Sequence, residues 1–183
     1  LNITCDTAPP YFLLNEDALL DYDTSFKISP PLRIEDDRIA VIEGIQDGTI
    51  DAIASDHRAR SKDTKVQTFS SASIGAAGIE TLFLLTLELV HAKLIDLKKA
   101  ISLISLNPSK ILNIKEPTLE QDEYATFIIF DDNFKSTINQ KDLMFSPTPF
   151  DGRNVKGKIL ATFIQGNASH LDQILKERLL REF

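Results

Sequence analysis

The segment Ile50-Asp51-Ala52-Ile53-Ala54-Ser55 is apolar at nearly every position. A strand with one wet face would alternate. A continuous apolar run belongs in a sheet covered on both sides, which points to parallel strands flanked by helices. The residues ahead of it agree. Ile39, Ile42 and Ile45 recur every three positions, Val41 widens the stripe, and Asp47-Gly48 ends it, so a helix is expected over 35–46. Glu35, Asp36 and Asp37 suit the positive end of that helix. Further upstream, the alternation of Leu1, Ile3 and Cys5 predicts a strand over 1–5, with Cys5 as a small buried hydrophobe. Asn15, followed by Glu16 and Asp17, predicts a short capped helix, and residues 25–28 predict a strand ended by Pro30-Pro31.

Residues 56–76 are rich in Ser, Lys and Thr and predict a long loop, either a lid or a disordered flap. Helices follow over 79–91 and 96–105, and Asn107-Pro108 is expected to start a short third one. After Pro117 the character changes. Residues 124–130 predict a strand ended by a turn at Asp131-Asp132-Asn133, and residues 158–166 predict another, closed by Gly166-Asn167. From His170 an amphipathic helix is expected, with Leu171, Ile174, Leu175, Leu179 and Phe183 on one face. The chain thus divides into a strand–helix part (1–116), a small β part (117–168) and a terminal helix (169–183). The strand–helix order implies an α/β fold, read as the last part of a barrel or doubly wound sheet. Open sheet edges would then make this piece stable only when paired, with its other half or with a second copy as a homo-oligomer.

Charge and composition narrow the function. A net charge of −7 without a basic run argues against nucleic acid. Cys5 is the only cysteine, which excludes an internal disulfide and a multi-cysteine metal site and fits a reducing cytoplasm. The longest apolar stretch, near Leu82, is far short of the roughly 20 residues of a membrane span. The first residues lack the basic start and apolar core of a signal peptide. Nucleotide-binding glycine motifs and a serine-nucleophile elbow are absent.

Of three histidines, only His57 adjoins a carboxylate, Asp56, at the carboxyl end of the predicted buried strand where α/β enzymes keep their chemistry. This pair is either a metal ligand and base with an orienting neighbour, or a strand end that hydrogen-bonds locally. Arg58 and Arg60 either grip an anion or are solvated. Arg33 either binds an anion or pairs with Glu35, Asp36 or Asp37. Gly75 and Gly78 either approach a substrate or make a tight turn.

Five segments, "DYDTSFKISPPLR", "IQDGTIDAIASDH", "GAAGIETLF", "ISLNPSKILNI" and "SPTPFDGRNVKGKI", follow one another in register. Together they resemble the C-terminal half of a dihydroorotase, of the amidohydrolase superfamily, over about residues 2–168. The resemblance implies a metal-dependent (β/α)₈ TIM barrel, here from about strand six to strand eight, plus part of a small β-sandwich, with five strands missing. It implies zinc, opening or closure of the dihydroorotate ring, and Asp56 as metal-site residue and general base. Ser29, Arg60, Gly75 and Gly78 fall at substrate-binding positions.

Three positions depart from the family. Where active members carry T-P-H-H, this chain has Pro10 and Tyr11; Pro has no ligating atom, and a phenol is a poor substitute for imidazole. Ser29 replaces the Asn of N-P-P-L-R, and Arg60 replaces the second His of D-H-A-P-H. The resemblance therefore implies an impaired or inactive dihydroorotase-like protein, with zinc or with no metal, that serves as structural partner of aspartate transcarbamoylase. The alternatives are a working cyclic amidohydrolase, with Asp56 as base and metal ligands from the missing half, and a small-anion binder using Arg33, Arg58 and Arg60.

Overall fold

The computed structural model describes residues 3–173 and 175–177. The apolar run at residue 50 does lie in a parallel sheet. β1 (Asp6–Thr7) leads into α1 (Pro9–Leu13), α2 (Glu35–Asp47) follows, and β2 (Ala52–Ile53) returns beside β1. Asp6 lies opposite Ala52 and Thr7 opposite Ile53, in parallel. Pro9 opens α1, where its missing N–H is one that no helix satisfies internally. α2 begins on three acids and stops at Gly48, whose φ of 90° is cheap only for glycine. Its Ile45 is fully buried with Phe12, Ile53, Leu89 and Leu103, which locks helix to strand.

Several local expectations are corrected. Residues 25–28 are not a strand. Thr24–Phe26 is a 3₁₀ turn, because the Asp23 carboxylate accepts the Ser25 N–H at 2.8 Å and takes it out of any ladder. Cys5 is exposed rather than buried. It precedes the first paired residue, and its N–H goes to the Asp51 carboxylate at 2.8 Å.

Residues 56–76 are an ordered lobe around α3 (Lys62–Lys65), not a disordered flap. Gly75 donates to the Lys27 carbonyl at 3.0 Å, Thr24 Oγ1 to the Lys65 carbonyl at 2.7 Å, and Lys27 Nζ to the Ser70 carbonyl at 2.9 Å. Lys65 itself is buried and donates Nζ to the carbonyls of Thr24 at 2.6 Å and Lys27 at 3.3 Å. Burial, with the nearby Lys27 charge second, holds its ammonium down at about 8, below the usual lysine value. A lysine depressed in the folded state disfavours folding while it is charged. That penalty is full below about pH 8 and fades as pH rises toward the unfolded value of about 10.4. Stability should therefore climb between pH 8 and 10.5 in the wild type and stay flatter in Lys65→Met. Urea melts across that range check it; parallel profiles would contradict it.

α4 (Leu82–His91) is followed by α5 (Leu97–Ile101), a π-helical turn (Ser102–Leu106) and α6 (Asn107–Ile111). Asn107-Pro108 does not begin a separate helix. The Asn107 N–H reaches back to the Ser102 carbonyl in the wider turn, and the chain runs on through the proline.

The last part is an antiparallel sheet of β3 (Phe127–Thr137), β4 (Asn154–Ile164) and β5 (Asn167–Leu171). The expected turn at residues 131–133 is a bulge within β3. Asp131 Oδ1 accepts the N–H groups of Asn133 and Phe134, at 2.9 and 3.2 Å, so the extra residues loop out and pairing resumes at Lys135. His170 lies in β5, not in a helix; helical residues appear only at 173 and 175–177, and Ile174, Leu179 and Phe183 lie outside the described residues. The sheet packs on α4 through Leu85, Val155, Phe150 and Ile138. Glu88 of α4 holds Arg153 through two hydrogen bonds of 2.7 and 2.8 Å. Among the described residues, no helix is long and apolar enough to cross a membrane.

Candidate functional site

The carboxyl ends of β1 and β2 open onto a cleft of about 410 Å³ whose lining includes Tyr11, Ser29, Arg33, Asp37 and Asp56. β2 delivers Asp56, which sits at φ 43°, in the left-handed region that Asp tolerates better than most residues. α1 delivers Tyr11 from the opposite side. The Tyr11 hydroxyl donates to the Pro30 carbonyl at 3.1 Å, with the Asp56 carboxylate close enough to act on the phenol. Burial first, then the nearby charge of Asp56, push the phenol up to about 12, with Arg58 pulling the other way. The phenol thus keeps its proton at neutral pH, donated to the Pro30 carbonyl, and stands beside the Asp56 carboxylate.

His57 points elsewhere. Its Nδ1 accepts the N–H groups of Gly78 and Ile79, each at 3.3 Å, and its ring stands edge-on to Phe145 with centroids 4.8 Å apart. It splints residues 76–79 against 55–58, where His57 and Ala76 bridge in parallel and the Arg58 N–H reaches the Ala76 carbonyl at 2.8 Å. Gly75 and Gly78 permit this closeness. A Cβ on Gly75 would come within 2.7 Å of the Arg58 carbonyl oxygen, and one on Gly78 would overlap the Ser55 carbonyl oxygen. Glu80 finishes the corner by accepting the N–H groups of Met144 and Phe145 at 3.1 and 3.0 Å.

The structure brings Asp56 and Ser29 to one cleft, together with Tyr11, whose place beside Asp56 the sequence reading did not foresee. Gly78 lines a small void on the other side of Asp56. Arg60 turns away and donates Nε to the Ile74 carbonyl at 2.8 Å. Arg33 pairs with Asp37 at 3.3 Å, on the solvated side of the cleft. Glu80 and Phe145 were also missed. Glu80 stands inside the "GAAGIE" segment, but nothing local tells that its carboxylate captures a loop 64 residues away.

Among the described residues, the side chains do not by themselves make up a catalytic zinc site. Such a site needs about three protein ligands, deprotonated where they bind. Pro10 has no donor atom, the Tyr11 phenol holds its proton, and the His57 Nδ1 lone pair is already used. Among the described residues, no three of His, Cys, Asp or Glu are grouped to hold a metal.

Fold and site define the class: residues 22–168 match the model of the amidohydrolase family, and the chain belongs to that family. In sequence its curated relatives are dihydroorotases. It is 38 % identical over 168 residues to the one from Anaplasma phagocytophilum (strain HZ), covering 91 % of this chain and 38 % of that protein. It is 39 % identical over 168 residues to the one from Geobacter metallireducens, covering 91 % and 40 %. The chain therefore spans about two-fifths of the length of the relatives it matches. In fold it is similar to L-hydantoinase (dihydropyrimidinase) from Arthrobacter aurescens, with a TM-score of 0.86 at 23 % identity over 93 % of this chain and 40 % of that one. It is also similar to the inactive dihydroorotase-like domain of the Chaetomium thermophilum CAD-like multifunctional protein, with a TM-score of 0.69 at 16 % identity over 94 % and 45 %. These likenesses establish the barrel-type fold of the amidohydrolase superfamily for the strand–helix part.

Proposed function

We propose that this chain is part of a dihydroorotase-like protein of pyrimidine biosynthesis that does not turn over dihydroorotate and acts as a structural partner of aspartate transcarbamoylase. The observation that carries the reading is that Tyr11, its hydroxyl held on the Pro30 carbonyl, shares the cleft with Asp56. Hydrolysis of a ring amide needs an activated water and a carboxylate free to take its proton. In this cleft a phenol that keeps its proton stands beside Asp56, the candidate base, at the position where a histidine ligand would stand. Arg60 and Ser29 leave the substrate without its usual grips. The fold also resembles a domain described as inactive, so the barrel is compatible with a role other than catalysis. A cytoplasmic location and association with further chains belong to the same reading. Crosslinking and co-purification from cells should recover a transcarbamoylase; recovery of none, with the protein abundant, would remove the scaffold role.

A second reading has its own support. Asp56 is retained at the end of β2, and the sequence relatives are dihydroorotases. In that reading Asp56 is the base of a working cyclic amidohydrolase, and a zinc is held by residues outside this chain with Asp56 as the one ligand from it.

A further inference from the structure

A second cleft, of about 470 Å³, lies between the end of α4 and the β3–β4 hairpin, lined by residues that include His91, Lys135, Asn154 and Lys156. Lys135 and Lys156 are directly opposite each other on neighbouring antiparallel strands, so both side chains leave the same face. Like charges in that position repel and weaken the pairing. No carboxylate pairs with either lysine among the described residues. Neither ammonium group has an ion-pair, hydrogen-bond or ring partner among the described residues. The contrast within the same hairpin is Lys158, which is held by Asp172 at 2.8 Å and lies over the Phe134 ring at 4.8 Å. The carboxylate in the cleft wall, Glu88, is already engaged by both hydrogen bonds from Arg153.

The remaining lining is rich in donors. Asn154 accepts from Thr137 Oγ1 through its carbonyl oxygen at 2.8 Å, which leaves its amide N–H groups without an acceptor among the described residues. His91 Nε2 lies 3.3 Å from the Lys156 carbonyl and closes the cleft floor. The carbonyl end of α4 contributes partial negative charge, so the two ammonium groups must carry any anion. In a chain of net charge −7, an unrelieved pair of lysines beside unpaired amide donors is chemistry for a doubly charged oxyanion.

We propose that this cleft is a binding site for phosphate or a small phosphate ester, held by Lys135, Lys156 and Asn154 and separate from the Asp56 cleft. The test is a calorimetric titration of inorganic phosphate into the whole chain at low ionic strength, with acetate as a singly charged comparison. Phosphate should bind saturably at one site per chain and more tightly than acetate. Lys135→Gln combined with Lys156→Gln should weaken it by about tenfold or more while the melting temperature holds or rises. Lys156→Glu supplies an opposite charge across the strands, so it should raise the melting temperature and abolish phosphate binding. Non-saturating heats, equal binding by the double variant, or a Lys156→Glu protein that melts lower would each overturn the proposal.

Discussion

Gly78→Ala should cost about 3 kcal/mol of stability, at the upper end of what an overpacked site exacts. The reason is backbone against backbone. The Gly78 Cα lies over the Ser55 carbonyl oxygen so closely that a methyl group would overlap it. No side chain can swing aside to make room. Ser55 is fixed by the strand before it, since the Ala54 N–H is bonded to the Thr7 carbonyl at 2.7 Å, and Gly78 by the His57 acceptor at 3.3 Å. To admit alanine, the 55–58 and 75–78 segments must part, which breaks both N–H bonds to His57 and the Arg58–Ala76 bond. Urea unfolding should show a lower midpoint with an unchanged slope. A midpoint within a few tenths of a molar of wild type would mean the segments are looser than the structure has them. Gly75→Ala should behave alike for a second reason, because its φ of 120° is one that alanine rarely adopts.

Leu85→Ala should cost about 3–4 kcal/mol. Leu85 is fully buried at the centre of the cluster that joins α4 to Ile138, Phe150 and Val155. Its removal leaves a cavity on the seam between the strand–helix part and the antiparallel sheet. Gly157 on β4 brings the sheet backbone against this helix, with room for neither Leu84 nor Leu87 to slide in: a Cβ there would already stand 2.9 Å from Leu87 and 3.0 Å from Leu84. The cavity therefore stays open, which puts the cost in the middle of the usual range of about 2–5 kcal/mol. Leu112→Ala is the comparison, because Leu112 is 68 % exposed and its loss should be nearly neutral. Equal effects of the two substitutions would mean that the seam is not packed as described.

What the sequence made legible was set by strong local signals. The helix ended by Gly48 was readable because its stop residue and its apolar period agree. The parallel placement of β2 was readable because a doubly covered strand has no polar face. Signals that depend on distant partners were not readable. Cys5 has the spacing of a buried strand residue, yet pairing starts one position later and leaves it outside. Asp131-Asp132-Asn133 has turn composition, but the long antiparallel ladder on both sides absorbs it as a bulge. Lys65 has the chemistry of a surface residue, and only the carbonyls of Thr24 and Lys27 explain its burial. At the site, the resemblance pointed to Asp56 and to Pro10 and Tyr11 as a departure from the family pattern. That Tyr11 turns its hydroxyl to the Pro30 carbonyl beside Asp56, while His57 turns its ring to Gly78, is tertiary geometry that no spacing in the sequence contains.

The central claim is that the Asp56 cleft of this protein does no hydrolysis. Elemental analysis of the purified protein for zinc, with dihydroorotate turnover followed in the same sample after zinc is added, tests it most directly. The proposal predicts zinc well below one per chain and no turnover above the uncatalysed rate. Near-stoichiometric zinc, with turnover that disappears in Asp56→Asn, would contradict it and establish the working amidohydrolase.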